Sequence, residues 1–393
     1  MANFMSFLRM ALIIIILYCS NPSLAIKTYN VLSFGAKPNG VIDSTQAFLN
    51  AWEEACASFD ATLIYVPNGR YLVGSMAFKG ACRSSQIIFR IDGTLVAPPD
   101  FQALAGAEHW LGFEGVSGVS IVGGAFDARG PALWACKATG INCPSGATTL
   151  GFTNSNNIRI IGLVSLNSQM FHIVINGCQD VILHGVRVIA AGNSPNTDGI
   201  HVQLSRNVTI LNSSIRTGDD CISIGPGTQN LWIESIACGP GHGISIGSLA
   251  KDFEEEGVQN VTVKKAVFIG TQNGLRIKSW ARPSKGFVQG VQFLDAIMEN
   301  VQNPIVIDQN YCPHSINCPS EVSGIKIRDV TYRGIRGTSA TQVAIKFDCS
   351  VINPCSDIRL EDVNLSYQNK VAQSLCNNVD GKALGLVQPN NCL

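Results

Sequence analysis

Asp198, Asp220 and His242 each stand two residues ahead of an apolar residue in a short recurring pattern. The pattern reads Asp198-Gly-Ile200-His-Val202, Asp220-Cys-Ile222-Ser-Ile224 and His242-Gly-Ile244-Ser-Ile246, and it continues at Asn273-Gly-Leu275-Arg-Ile277 and Asn303-Pro-Ile305-Val-Ile307. If these segments are strands on successive coils of a stack, matching positions lie ~4.8 Å apart and form a column on one surface. Two carboxylates then become neighbours, with an imidazole next along. One position after the apolar residue come His201, Ser223, Ser245 and Arg276, and Lys278 lies two beyond Arg276.

That grouping suits glycoside hydrolysis, in which one carboxylic acid protonates the leaving oxygen and another carboxylate activates water or attacks. Close like charges raise the pKa of one member, so that it can hold a proton near neutral pH. Asp219 is the natural third partner. Strict alternation along a strand would turn Asp219 and Asp220 to opposite faces, so their cooperation requires a bend at Gly218. Arg276 and Lys278, about 7 Å apart on one strand face, suit the carboxylates of an acidic polysaccharide. Taken singly, Gly218-Asp219-Asp220 reads as a turn, His242 as a loop residue, and Arg276 with Lys278 as a solvated strand face. The alignment over consecutive coils overturns those readings, while Asn273 and Asn303 read as an internal hydrogen-bond ladder.

The elements that must hold this column are legible as a second ladder. A small or polar residue precedes apolar-x-apolar at Asn157-Ile158, Asp180-Val181, Asn207-Val208, Asn230-Leu231, Asn260-Val261, Gly290-Val291, Gly324-Ile325 and Asp357-Ile358, at spacings of 23, 27, 23, 30, 30, 34 and 33 residues. Short period-two segments recurring at this interval predict a stacked solenoid with loops of variable length. Two ladders in step predict an all-β parallel β-helix rather than a propeller or a sandwich. Ahead of them, Asp43-Ser44-Thr45-Gln46 opens a helical pattern through Ala47, Phe48, Ala51, Trp52 and Ala55, expected to cap the first coil.

Arg9, the apolar run Ala11 to Leu17 and Ser23-Leu24-Ala25 fit a signal peptide over residues 1–25, leaving 26–393 as one catalytic domain in a secreted protein. Removing Arg9 leaves 27 basic against 28 acidic residues, a charge of −1. Near-neutrality argues against a nucleic-acid partner, and nothing downstream is apolar enough for a membrane. Of fourteen cysteines, thirteen follow the signal. Disulfides are expected for Cys221 with Cys238, Cys312 with Cys318, Cys349 with Cys355 and Cys376 with Cys392, with one cysteine left over. Sequons stand at Asn207, Asn212, Asn260 and Asn364.

Asn196-Thr197-Asp198, Gly218-Asp219-Asp220, Gly241-His242-Gly243 and Arg276-Ile277-Lys278 resemble, in order, the four signature motifs of the polygalacturonases, glycoside hydrolase family 28, in their plant form. The likeness runs from about Asn30, through Phe34-Gly35-Ala36-Lys37 and Asp308-Gln309-Asn310-Tyr311-Cys312, nearly to the C-terminus. It implies a right-handed parallel β-helix, no cofactor and no metal. It also implies hydrolysis of α-1,4 links between galacturonic acids of pectin with inversion, by a monomer in the cell wall. Residue by residue, Asp219 matches the general acid, Asp198 and Asp220 the pair that activates water, and His242 the histidine supporting the acid. Arg276, Lys278 and Tyr311 match substrate binders, and Asn196 matches a residue of the cleft. Ser279 stands where many relatives have Thr, which keeps the hydroxyl. Internal cutting is expected ahead of cutting from a chain end. The rivals are a calcium-dependent pectate lyase, hydrolases of rhamnogalacturonan or xylogalacturonan, and a silent glycan-binding wall protein on the same fold.

Overall fold

The structure, a computed structural model, describes residues 26–393 except 141 and 391; the expected signal peptide lies outside the described residues. Eleven strands stack into one parallel sheet in chain order: β1 (Met76–Lys79), β2 (His109–Glu114), β3 (Thr148–Thr153), β4 (Ile173–Asn176), β5 (Ile200–Gln203), β6 (Ile222–Ile224), β7 (Ile244–Leu249), β8 (Asn273–Trp280), β9 (Asn303–Tyr311), β10 (Val343–Asp348) and β11 (Gln373–Asn377). A twenty-stranded sheet forms the other faces, in which Gln179–His184 and Arg187–Ile189 both pair with the bent strand Arg206–Arg216. Among the described residues pairing is parallel except where Ser366 and Tyr367 meet Val371 and Lys370. The chain therefore winds as a right-handed parallel β-helix, as the two ladders and the resemblance predict.

The interior is built from columns of stacked side chains. Ile200, Ile222, Ile244, Leu275, Ile305 and Ile345 are in register on β5 to β10 and all are buried. Toward the N-terminus aromatic rings take over, with Phe78, Phe113 and Phe152 spaced 4.7 and 4.6 Å apart at their centroids. This is the coil spacing itself. Helix α1 (Thr45–Ala57) closes that end as expected, burying Ala47, Phe48, Ala51, Trp52 and Ala55. The Asp43 carboxylate rather than the Ser44 hydroxyl caps it, accepting from Thr45 N–H at 2.8 Å.

One expected register is wrong. Val291 pairs with Val330, not with Ile325, and Val330 in turn pairs with Ile358. The deciding residue is the one before the apolar pair. Asn157, Asp180, Asn207, Asn230, Asn260, Gly290, Asp329 and Asp357 all have φ between 53° and 65°, whereas Gly324 is not left-handed. Asn, Asp and Gly are the residues that tolerate this corner, so Asp329-Val330-Thr331-Tyr332 is the true seventh repeat.

All four expected disulfides are present, together with Cys56–Cys82 and Cys136–Cys143. The leftover cysteine is Cys178, buried in the core.

Candidate active site

The turns that enter β5, β6 and β7 carry Asp198, the Asp219-Asp220 pair and His242. These turns stack through their own backbones. Gly199 N–H donates to Asp220 C=O at 2.9 Å, Cys221 N–H to Gly243 C=O at 2.8 Å, and His242 N–H to Asp219 C=O at 2.7 Å. Beneath them the hydroxyls of Ser194, Thr197 and Thr217 form a buried ladder with contacts of 2.6 and 2.7 Å. The chain bends at Gly218 and Asp219, as their cooperation requires. The glycine is needed there for closeness rather than for a left-handed φ: a Cβ at Gly218 would stand 2.3 Å from the Ser194 carbonyl oxygen. The Cys221–Cys238 bridge then fixes the strand that leaves the turn.

This bend brings the Asp219, Asp220 and His242 polar atoms within 4.8 Å of one another. Asp219 Oδ1 lies 3.0 Å from His242 Nδ1 and accepts from Asp220 N–H at 2.8 Å. Asp220 is 2 % exposed. Its Oδ1 accepts from Ser245 Oγ–H and from Arg276 Nη2–H, and its Oδ2 accepts from Lys278, all at 2.8 Å. Asp198 is buried beside them. Both Asp220 oxygens are already engaged by positive side chains, which makes that carboxylate a poor ligand for a cation.

Arg276 and Lys278 are thus not a solvated strand face. Both are buried, and both are committed to Asp220. The reason is electrostatic, since an unpaired carboxylate at that depth would be costly to desolvate. Burial pushes the Asp220 carboxyl up, but Lys278 and Arg276 more than reverse this and hold it down at about 2. Asp198 goes the other way, pushed well above the usual carboxylate range by burial and then by the charges of Asp219 and Asp220. The member of the cluster in which like charges raise the affinity for a proton is therefore Asp198.

Tyr311, at the end of β9, covers the two cations, with Lys278 Nζ 5.2 Å and Arg276 Cζ 5.9 Å from its ring centroid. Asn196 is exposed in the turn before β5, with φ at 54°. Asn273 and Asn303 form the expected ladder, Asn303 donating to Asn273 Oδ1 at 3.2 Å. Two side chains that sequence reasoning gave no role belong to the site. Ser245 bridges Asp220 and Arg276, accepting from Arg276 Nε–H at 2.9 Å. Trp280 meets Tyr311 edge-on at 5.3 Å, and its place two residues beyond Lys278 was the available signal. A groove of about 560 Å3 on the twenty-stranded sheet, lined by Asn230, Asn260, Gly290 and Arg328, holds only exposed acids, Asp329 and Asp357, and no imidazole.

A family model described as glycosyl hydrolases family 28 matches residues 56–386. The chain belongs to that family. Among relatives of this family 28 hydrolase, a polygalacturonase of Prunus persica is 60% identical over 395 residues, covering 100% of both chains. An exopolygalacturonase of Platanus acerifolia is 42% identical over 357 residues, covering 89% of this chain and 94% of its own. Among solved structures, an endo-xylogalacturonan hydrolase from Aspergillus tubingensis superposes with a TM-score of 0.80 at 22% identity, over 92% of this chain and 100% of that one. An exopolygalacturonase from Thermotoga maritima gives 0.70 at 19% identity, over 92% and 93%. At those identities the two structures bear on the fold of the family 28 hydrolase, and the carboxylate cluster bears on its chemistry.

Proposed function

We propose that this chain is a secreted polygalacturonase, acting as one catalytic domain over residues 26–393. It hydrolyses α-1,4 links between galacturonic acid residues of pectin in the cell wall, as a monomer without cofactor. The observation that carries the reading is a three-carboxylate cluster whose deepest member is neutralised by two cations, leaving Asp219 as the partly exposed acid beside His242.

In this mechanism Asp219 protonates the leaving glycosidic oxygen, and His242 Nδ1, 3.0 Å away, resupplies the proton. Asp220, ionised by its cations, and Asp198 orient a water molecule and take its proton as the water attacks the anomeric carbon. Arg276 and Lys278 spend one of their two charges on Asp220, and the surplus positive charge draws the uronate carboxylate toward Tyr311 and Asn196. The Asp219 and Asp220 oxygens lie within 4.8 Å, closer than the ~6.5 to 9.5 Å separation usual for inversion. The inverted product is therefore assigned from the family resemblance, with water entering on the Asp198 side. Internal cutting is the mode proposed.

The deciding experiment is product analysis on de-esterified polygalacturonate in the presence of chelator, comparing wild type with Asp219→Asn. Expected are saturated oligogalacturonides of mixed length from wild type and a loss of about 10²- to 10⁴-fold in the variant. Unsaturated products, or activity lost to chelator, would replace the hydrolase with a lyase. Release of monomer alone would replace internal with terminal cutting, and turnover confined to xylogalacturonan would change the substrate. Proton NMR of the first product resolves the anomer.

A further inference from the structure

We propose that Ser223, His201 and Gln203 form a hydrogen-bonded chain behind Asp198 that sets where the proton of the carboxylate cluster resides, making them positioning residues for water activation. The proposal rests on the assignment of Asp198 to that step.

The chain is built by strand register. His201 and Gln203 project from the same side of β5, and Ser223 is the direct neighbour of His201 on β6. His201 Nε2 lies 3.1 Å from Gln203 Oε1, and Nδ1 lies 2.7 Å from Ser223 Oγ. On the next coil Ser245, the register neighbour of Ser223, donates to Asp220, and Ser223 stands to Asp198 as Ser245 stands to Asp220, each serine one coil beyond an aspartate two residues ahead of a paired isoleucine. Phe171 packs 5.2 Å from the imidazole, and Gly225 leaves the space the chain occupies. A Cβ at Gly225 would come within 2.7 Å of Gln203 Cβ and 3.3 Å of His201 Cε1.

The polarity of this chain follows from its far end. An amide oxygen only accepts, so Nε2 carries the hydrogen and Nδ1 is the acceptor. Ser223 has one proton, and it goes to Nδ1. Its oxygen is then left to accept from a protonated Asp198. Burial holds His201 neutral, its pKa pushed down to about 4, which keeps Nδ1 available. The reverse polarity needs the Gln203 amide turned so that its NH2 faces Nε2. Nδ1–H then donates to Ser223, and Ser223 donates to an ionised Asp198.

Conversion between the two balances. The Asp198 proton passes to Ser223 oxygen, the Ser223 proton passes to Nδ1, and the Nε2 proton leaves to solvent. One proton leaves Asp198 and one is released, so that Asp219 can take one up as the acid. The charged groups facing the chain are Asp219, Asp220 and Lys278 around Asp198, and Lys251, Asp220 and Lys278 around His201.

The test is the acid limb of the kcat/KM profile on polygalacturonate for three variants, each checked for thermal unfolding. His201→Leu frees the Ser223 proton for the Asp198 carboxylate, so the limb moves down by about half a pH unit or more. Ser223→Ala removes a donor to that carboxylate, so the limb moves up. His201→Asn keeps an acceptor where Nδ1 stands and leaves the limb near that of wild type. Limbs that stay put, or that move the same way in both Leu and Ala variants, overturn the proposal. If Ser223→Ala does not fold, the contrast between His201→Leu and His201→Asn decides alone. Asp198→Asn separates the two levels: wild-type turnover in it sinks the underlying assignment, whereas an inactive Asp198→Asn beside unmoved limbs sinks only the chain.

Discussion

Asp220 takes two strong cationic contacts at a depth where a bare carboxylate would not ionise, and this makes its partners structural as well as functional. Lys278→Met leaves the carboxylate with Arg276 and Ser245. The expected loss is about 1 to 3 kcal/mol at neutral pH, the worth of one charged hydrogen bond, because Arg276 and Ser245 still hold the carboxylate. The sign with pH follows from linkage. The folded carboxyl sits at about 2 against ~3.9 in an unfolded chain, so its stabilisation is present above ~3.9 and fades as pH falls toward 2. Urea unfolding of wild type and variant should therefore show a stability gap that narrows as pH drops through that window. A gap independent of pH would mean that Lys278 acts by packing alone. At this scale the sequence displayed the residues that successive coils bring together. It did not display the direction of their charges, because the alternation that placed Arg276 and Lys278 on a surface says nothing of the carboxylate that turns inward beneath them.

The strand repeats were legible because each begins with a corner that few residues tolerate. Where the repeat was misread, at Ile325, the apolar-x-apolar pattern was present twice within eight residues, Ile325 to Ile327 and Val330 to Tyr332. Only the left-handed Asp329 distinguishes them. The same corners carry a polar ladder. Asn207 donates to Asp180 at 2.9 Å, Asn230 to Asn207 at 3.1 Å, and Asn260 to Asn230 at 2.6 Å. Asn230 is thus both a left-handed residue, with φ at 55°, and a two-sided link. Asn230→Gly keeps the conformation and loses the links, for an expected cost of about 1 kcal/mol. Asn230→Val adds backbone strain and should cost about 1 to 2 kcal/mol more. Urea midpoints of the two variants measure the difference directly, and equal midpoints would place the whole effect in the ladder bonds.

A stack of coils is held by nearest-neighbour contacts, so its ends matter more than its length. The N-terminal end is closed by Trp52 of α1, whose ring lies 5.3 Å from Phe78, 5.9 Å from Phe89 and 5.8 Å from Phe113. The helix was readable from its apolar spacing, but the aromatic pile it covers was not, since rings on β1 to β3 come together only once the register is known. Trp52→Ala opens a large cavity on that pile, with an expected cost of about 3 to 5 kcal/mol. The carboxylates stand on the turns that enter β5 and β6, separated from the first coil by β2, β3 and β4. Contacts that pass only between neighbours should confine the damage to the end where it is made. The variant should therefore unfold at lower temperature, and its amides on β1 and β2 should exchange with solvent sooner than those on β6 and β7. Below the transition its kcat/KM on polygalacturonate should match wild type. Amide exchange that rises equally on all these strands would mean that the coils unfold as one cooperative unit, with α1 bearing on the whole stack rather than on its first turns.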